Sequence, residues 1–164
     1  MDQLRFANND SIKKLLSPDE RVVFKEKLGK FNSYRALIER NLLITSKAIY
    51  ILKNETVEGK IVLNKLKGVT RDKQETSIEF IIHVEGADDC HFKTKLRNQI
   101  ISILQALYLE QFNKDLRLYE VPNYLLADYV TAEEDVAENI SRLPEESFLV
   151  LNDNEEIKAN ESRF

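Results

Sequence analysis

The stretch Arg40–Val84 constrains the fold of this chain more than any other part of the sequence. It reads RNLLITSKAIYILKNETVEGKIVLNKLKGVTRDKQETSIEFIIHV, with apolar and β-branched runs between short polar turns. It has almost no helical periodicity, and alternation with a period of two is typical of strands. The stretch therefore predicts a series of short antiparallel strands, with Ser46–Lys47 as the turn of the clearest hairpin.

The same alternation predicts seven short strands before residue 94. They are Arg21–Gly29, Arg35–Thr45, Ala48–Leu52, Lys60–Leu63, Lys67–Arg71, Ser77–Val84 and Cys90–Lys93. A loop over Gly29–Tyr34 reverses the chain after the first strand, and Asn54–Gly59 is predicted to be a polar loop.

The period then changes to 3.6, which predicts one long helix over Thr94–Phe112. Its apolar stripe consists of Leu96, Ile100, Leu104, Leu107 and Phe112. Thr94 is the expected cap, whereas Lys95 and Arg97 lie unfavourably near the positive end of the helix dipole. Such a helix can cover the open end of a small curled sheet. The predicted fold is α+β: a pleckstrin-homology-like curled antiparallel β-barrel of about seven strands, capped by a long C-terminal helix.

Additional short helices are expected at both ends of the chain. Ile12, Leu15 and Leu16 form an apolar face that ends before Pro18, and Thr131 with Glu134 predicts a capping box for a helix over Ala132–Arg142. LRLYEVP reads as a further strand, and Phe148–Leu151 should pack on the body. We divide the chain into an N-terminal helical segment (1–20), a pleckstrin-homology-like domain (21–121) and an acidic helical extension and tail (122–164).

Charge is distributed unevenly along the 164 residues, whose net charge is −4. Residues 1–130 carry 21 basic and 18 acidic residues, a balance of +3, whereas residues 131–164 carry 3 and 10, a balance of −7. So weak a positive balance argues against nucleic acid as a partner. No apolar run is long enough to span a membrane, and the first residues lack the character of a signal peptide, so we expect a cytoplasmic location. The single cysteine, Cys90, excludes an internal disulfide.

Three motifs in this order resemble the tail homology 1 domain of class I myosins. RNLLITSKAIYIL, GKIVLNKLKGVT and IEFIIHV, followed by the helix, are similar to the family's "(K/R)xRxLLLTxxxLYxL" hairpin, "RIPLxxIxGIxVS" and "FVLHV". The resemblance covers about residues 22–119, and the sequence contains no nucleotide-binding loop of a motor domain. It implies an atypical pleckstrin-homology fold that binds anionic phosphoinositides.

The resemblance also implies where a lipid phosphate would bind. The family's signature places basic residues on the first strand and its loop, followed by Lys/Arg-x-Arg on the second strand. The middle basic position of this signature falls on Ile38, and Glu39 adds a negative charge. The candidate lipid-phosphate-binding residues are Lys27, Lys30, Arg35 and Arg40, with Arg35 as a partial substitute for the missing cation. The plain alternative is that these cations form the solvated face of two edge strands.

Other site chemistry finds no support in the sequence. His83, Cys90 and His91 do not have the spacing of a zinc site, and His83 is better explained as a satisfied histidine at a strand end. Cys90 and His91 are adjacent on a strand and point to opposite faces, which argues against a nucleophile and its base. There is no nucleophile elbow, phosphate-binding loop or dinucleotide fingerprint. We therefore predict no catalytic residue, no metal and no cofactor.

Two functions from different classes remain. The first is a non-enzymatic adaptor that binds protein as a small subunit of a cytoskeletal assembly, myosin-related or axonemal in type, with the acidic tail as its docking arm. The second is a phosphoinositide-binding domain that recruits the chain to membranes. Alternatively, the tail folds back over the basic strands, where it would compete with a lipid headgroup by charge complementarity.

Overall fold

One eight-stranded sheet and one long helix account for most of the regular secondary structure. The computed structural model describes residues 10–151. Its helices are α1 (Asp10–Leu15), α2 (Arg97–Phe112) and α3 (Glu133–Ala137), and 3₁₀ turns cover Leu63–Lys65, Asn123–Tyr129 and Glu146–Phe148. The strands are β1 (Val22–Phe31), β2 (Leu37–Thr45), β3 (Ala48–Lys53), β4 (Thr56–Val62), β5 (Leu66–Asp72), β6 (Glu79–Val84), β7 (Cys90–Lys93) and β8 (Leu118–Val121).

The sheet has the strand order β4-β3-β2-β1-β7-β6-β5-β8. Seven strands precede α2, as the sequence predicts, and all their pairings are antiparallel. The eighth strand runs parallel to β5 and occupies its outer edge. Within residues 10–151 no ladder joins β4 to β8, so the sheet is open and has eight strands, where the sequence predicts a curled barrel of about seven. Because β8 takes the edge of β5, that edge cannot pair with β4.

Strand β3 and the second half of β2, from Leu42 onward, are buried on both faces. Leu42 and Ile44 belong to the main core between the sheet and α2, whereas Leu43 and Tyr50 contact Ile12 of α1 on the other face. Successive strand residues point to opposite faces, so a continuous apolar run is stable only if both faces are covered. The predicted short helix against the body is confirmed for residues 10–15. Residues 1–9 of the predicted N-terminal segment lie outside the described part.

Helix α2 begins three residues later than predicted. The Thr94 hydroxyl accepts a hydrogen bond from the backbone N–H of Leu96 (3.1 Å), which stabilises a turn before the helix. Arg97 is only 2% exposed and donates to the backbone carbonyls of Asp72 (3.1 Å) and Gln74 (3.2 Å). Burial lowers the pKa of Arg97. Hydrogen bonds to these carbonyls compensate for the unfavourable position of the Arg97 charge at the positive end of the helix dipole. Arg97 therefore tethers the start of α2 to the β5–β6 loop.

The predicted polar loop Asn54–Gly59 is mostly strand. Thr56 pairs with Lys53 and Gly59 with Ile51, so β4 begins four residues earlier than the sequence predicts. Only Asn54 and Glu55 form the turn, and Asn54 adopts a positive φ of 55°. Asn tolerates this conformation, which two-residue hairpin turns require. The correction matters because it places Glu58 on β4, from where its side chain reaches across β3 to β2.

The C-terminal extension packs on the β8 edge. Helix α3 has five residues, not the predicted eleven, and Asp135 rather than Glu134 accepts the hydrogen bond from the backbone N–H of Ala132 (2.9 Å). Thr131 accepts instead from the backbone N–H of Arg142. Leu149 bridges to Tyr119, and its neighbours Phe148 and Val150 pack against the body as predicted. Residues 152–164, with most of the predicted tail, lie outside the described part.

Candidate functional site

The strand directions bring three connections to one end of the sheet. They are the β1–β2 loop (residues 32–36), the β3–β4 turn (residues 54–55) and the β6–β7 loop (residues 85–89), which we call the hairpin end. The antiparallel pairing of β1 with both β2 and β7 fixes this arrangement. The four sequence-predicted cations all belong to β1, β2 or their loop, so each lies at or near this end.

Lys30 and Arg40 lie on the same face of the sheet. Lys30 is paired with Ile38, and Arg40 with Leu28, and residues directly opposite each other share a face. Leu28 belongs to the main core, so this is the core side of the sheet, just beyond the last buried side chains. The structure therefore brings two of the predicted residues together. Ile38 stands opposite Lys30, where the resemblance expects a third cation.

Glu58 of β4 binds the guanidinium of Arg40. Its Oε2 lies 2.7 Å from Nε and its Oε1 3.3 Å from Nη2, while Nη1 donates to the backbone carbonyl of Glu39 (2.8 Å). The hydrogen bond from Arg40 is the largest cause that lowers the pKa of Glu58, and the charges of Lys53 and Lys30 act in the same direction. Arg40 therefore binds the carboxylate of Glu58 directly, and the charges of Lys53 and Lys30 favour its ionised form.

Lys27 and Arg35 do not join this group. Lys27 is paired with Asn41 on the opposite face, and its Nζ lies 4.0 Å from Oε1 of Glu39. Arg35 lies in the exposed loop with a φ of 63°, close enough to His91 to help lower the pKa of that imidazole after the larger effect of burial. The four predicted residues thus occupy three places: the core-side face, the opposite face and the loop.

The β1–β2 loop is held rigidly and exposes apolar side chains. The side-chain oxygen of Asn32 accepts from the backbone N–H groups of Tyr34 (2.9 Å) and Ala36 (3.0 Å), and two backbone hydrogen bonds close the same loop. Tyr34 is 89% exposed and Leu37 is 51% exposed. Asn side chains commonly close turns in this way. The loop and the first residue of β2 therefore present an aromatic ring and an aliphatic side chain at the hairpin end.

A family model described as "Unconventional myosin tail, actin- and lipid-binding", the TH1 domain, matches residues 1–121. The chain belongs to the myosin tail homology 1 (TH1) family. The resemblance drawn from the three motifs is therefore confirmed. A search of curated protein sequences finds no significant match to the chain.

Solved structures resemble this TH1 chain in fold. The hSac2 domain from human phosphoinositide phosphatase Sac2 is 17% identical with a TM-score of 0.51, over 67% of this chain and 82% of that one. The PH domain of human oxysterol binding protein-related protein 11 is 14% identical with a TM-score of 0.46, over 59% and 86%. The N-terminal PH domain of human ARAP2 is 20% identical with a TM-score of 0.47, over 61% and 90%.

The third connection at the hairpin end of this TH1 chain is acidic. Glu85 and Asp88 of the β6–β7 loop are exposed, whereas Asp89 is buried. Burial is the largest cause that raises the pKa of Cys90 to about 12, Lys30 opposes that rise, and the charges of Asp88 and Asp89 add to it. The hairpin end therefore has a basic side, formed by β1 to β4, and an acidic side, formed by the β6–β7 loop.

His83 belongs to a buried polar network that the sequence does not reveal in full. Its Nδ1 donates to Oδ2 of Asp89 (2.8 Å), and its Nε2 lies 2.6 Å from the Thr70 hydroxyl. Asp89 also accepts from the backbone N–H groups of Val84 (3.0 Å) and Thr131 (2.9 Å). Thr70 and His83 are at most 1% exposed, so the Thr–His–Asp arrangement is closed to a substrate. It joins β5 and β6 to the C-terminal extension.

Two residues of this site, Lys53 and Glu58, are absent from the sequence prediction. Both lie in or beside the segment predicted to be a loop, and only strand pairing brings Glu58 to Arg40. The only available signal was the alternation in TVEGKIV, which the polar composition of NETVEG obscured.

Among residues 10–151 no group of three His, Cys, Asp or Glu side chains could hold a metal ion. No helix in the same range combines the length and apolarity needed to cross a bilayer.

Proposed function

We propose that this TH1 chain is a non-enzymatic docking module that binds anionic, phosphoinositide-containing membranes through the hairpin end of its sheet. One observation carries the proposal: Lys30 and Arg40 share one face of the sheet, and Lys53 ends β3 nearby, at the same end of the sheet that exposes Tyr34 and Leu37. Cations and interfacial side chains on one rigid end are what a lipid surface recognises. The lipid-binding described for the family agrees with this proposal.

The expected interaction energies favour weak, reversible binding to the membrane. Each cation near an anionic leaflet contributes about 1 kcal/mol, and this attraction decays within a Debye length of about 8–10 Å. Aromatic side chains prefer the headgroup level, where their apolar ring and polar tip are both accommodated. Tyr34 fits that role. Glu58 and Glu39 cancel part of the attraction, so we expect binding that is strongly sensitive to salt.

The acidic β6–β7 loop dictates how the domain would approach the membrane. Glu85 and Asp88 are exposed at the same end as the cations and would be repelled by an anionic surface. The domain therefore docks tilted, with the β1–β4 side toward the lipid and the β6–β7 loop toward water.

Vesicle co-sedimentation tests the proposal. We compare wild type with Lys30→Glu/Lys53→Glu on phosphatidylcholine vesicles with and without phosphatidylinositol 4,5-bisphosphate. Loss of two cations and gain of two repelling charges is expected to weaken binding at least tenfold. The matched control is Lys73→Glu/Lys95→Glu, the same change in net charge on exposed residues that follow β5 and β7 at the other end of the sheet. Equal losses in both variants, or no binding by wild type, would contradict the proposal.

A second candidate function is that of a protein-binding adaptor, a small subunit of a cytoskeletal assembly. Two observations favour it: Glu58 already engages the signature arginine, Arg40, and Ile38 replaces the middle cation. The family description also names actin. Co-sedimentation with actin filaments, together with identification of proteins that co-purify with the endogenous chain, tests it. Retention on filaments but not on phosphoinositide vesicles would favour the adaptor over the membrane module.

The organisation of the chain follows from the same proposal. The N-terminal segment (1–20) and the domain (21–121) form the docking unit, and the acidic extension and tail (122–164) remain the proposed arm for a protein partner. A chain of this kind would act in the cytoplasm at the cytoskeleton or a membrane, without nucleic acid, metal or cofactor. Removal of residues 152–164 separates the two roles, since lipid binding should persist or increase without them.

A further inference from the structure

We propose that Glu58 is a built-in competitor for the anionic ligand, and that it restricts binding at the hairpin end to membrane headgroups with at least two phosphates. The inference rests on the proposed function and concerns the ligand selectivity of the same site. It follows from what the carboxylate contacts and from the charges around it.

Glu58 occupies the position that a phosphate would take on Arg40. A guanidinium binds carboxylate and phosphate oxygens through the same planar pair of N–H donors. Here that pair, Nε and Nη2, is bound to the two oxygens of Glu58, and the remaining Nη1 binds a backbone carbonyl. A ligand phosphate must therefore displace Glu58 before it can reach Arg40.

The cost of that displacement sets the selectivity. The side chains of Arg40 and Glu58 are 14% and 40% exposed, and an ion pair open to solvent on one side is weak. A ligand with one negative charge merely exchanges one anion for another. A ligand with two or more phosphates can replace Glu58 on Arg40 and also contact Lys30 and Lys53, whose positive charges already act on the carboxylate of Glu58. Only the second exchange yields a net gain in attraction.

Glu58→Gln tests the inference against a matched control. Glu39→Gln makes the same change in net charge on β2, next to Arg40 in sequence, but its carboxylate faces Lys27 on the other side of the sheet. Binding is measured to vesicles that contain phosphatidylinositol 4,5-bisphosphate or phosphatidylserine at equal total charge. Wild type should prefer the bisphosphate, and Glu58→Gln should bind phosphatidylserine vesicles about fivefold more tightly, the effect of one additional free cation. Glu39→Gln should change binding less than twofold.

Two further arms make the result specific. Combining Arg40→Gln with Glu58→Gln should remove the gain, because the freed guanidinium is its source. Soluble inositol 1,4,5-trisphosphate should compete with the bisphosphate vesicles for wild type. A failure to compete would mean that surface charge density alone is sensed, which overturns the headgroup selectivity.

The outcomes separate this inference from the proposed function. If wild type binds the bisphosphate vesicles but Glu58→Gln leaves binding and preference unchanged, or gains no more than Glu39→Gln, the competitor role is wrong and membrane docking stands. If neither wild type nor any variant binds either vesicle, both are wrong. Thermal unfolding of each variant confirms that the comparison is made on folded protein.

Discussion

Asp89 accepts three hydrogen bonds and is only 8% exposed. Its carboxylate therefore holds the β6–β7 loop to β6 and to the C-terminal extension. Its donors are the backbone N–H groups of Val84 and Thr131 and the ring of His83. Unsatisfied buried donors cost about 1–3 kcal/mol each. We predict that Asp89→Ala lowers the free energy of unfolding in denaturant by about 3 kcal/mol. Its exposed neighbour gives the control: Asp88→Ala should stay within about 0.5 kcal/mol of wild type. Similar losses in both variants would refute this role.

The free energy of unfolding should depend on pH through the carboxyl group of Glu20. Burial alone would raise its pKa, but hydrogen bonds from Thr45, Ser17 and Tyr50 outweigh burial and hold the pKa below its ordinary value of 4.5. A carboxyl group whose pKa is lowered by folding stabilises the protein above its unfolded pKa, and that contribution is lost as the pH falls through the folded pKa.

Glu20→Gln should therefore be less stable than wild type at pH 7, and the difference should shrink as the pH falls below about 4.5. Urea unfolding at several pH values checks this. The exposed Glu75 of the β5–β6 loop provides the control, since Glu75→Gln should change stability by less than about 0.5 kcal/mol. A difference for Glu20→Gln that stays constant down to pH 3 would count against the hydrogen-bond account.

At the scale of elements, β8 closes off the edge of β5, and this contact requires a glycine. Gly68 has a φ of 156°, and a Cβ there would lie 3.0 Å from the backbone oxygen of Arg117 and 3.2 Å from a ring carbon of Tyr119. We predict that Gly68→Ala destabilises the protein by about 1–3 kcal/mol and loosens β8 in hydrogen exchange. Gly59→Ala is the matched control. A Cβ at Gly59 would make only an ordinary contact, at 3.6 Å, with Ile51, so its effect should be small.

The elements also show which parts of the fold the sequence could predict. The seven strands before α2 and the Ser46–Lys47 turn follow from period-two alternation, which is a local property. The pairing of β8 with β5 and the buried place of Arg97 depend on contacts between segments far apart in the chain, which a pattern of residues does not record. NETVEG was mistaken for a loop because half-exposed strands near a sheet edge carry polar side chains on one face.

The candidate site was predictable to the same extent. Lys30 and Arg40 could be found because the resemblance fixes their positions along two adjacent strands. Glu58 could not be found, since only the register of β3 with β4 brings it to Arg40. The placement of Lys27 on the opposite face follows from alternation alone, and a stricter count of residues from Lys30 would have separated them.

At the scale of the whole molecule, one basic and partly apolar end of a TH1 domain is the proposed docking surface. The chain contains no tryptophan, so a single indole reports on any chosen position. Two exposed tyrosines allow a matched pair: Tyr34 at the hairpin end is 89% exposed, and Tyr124, which follows β8 four strands away from β1, is 82% exposed.

The most direct test of membrane docking is the fluorescence of Tyr34→Trp and Tyr124→Trp titrated with phosphatidylinositol 4,5-bisphosphate vesicles, some of which carry brominated acyl chains. If the hairpin end docks on the membrane, the indole at position 34 should shift its emission to shorter wavelength and be quenched by the brominated lipid, and high salt should reverse both effects. The indole at position 124 should show neither change. Unchanged emission at position 34, or equal changes at both positions, would contradict docking through the hairpin end.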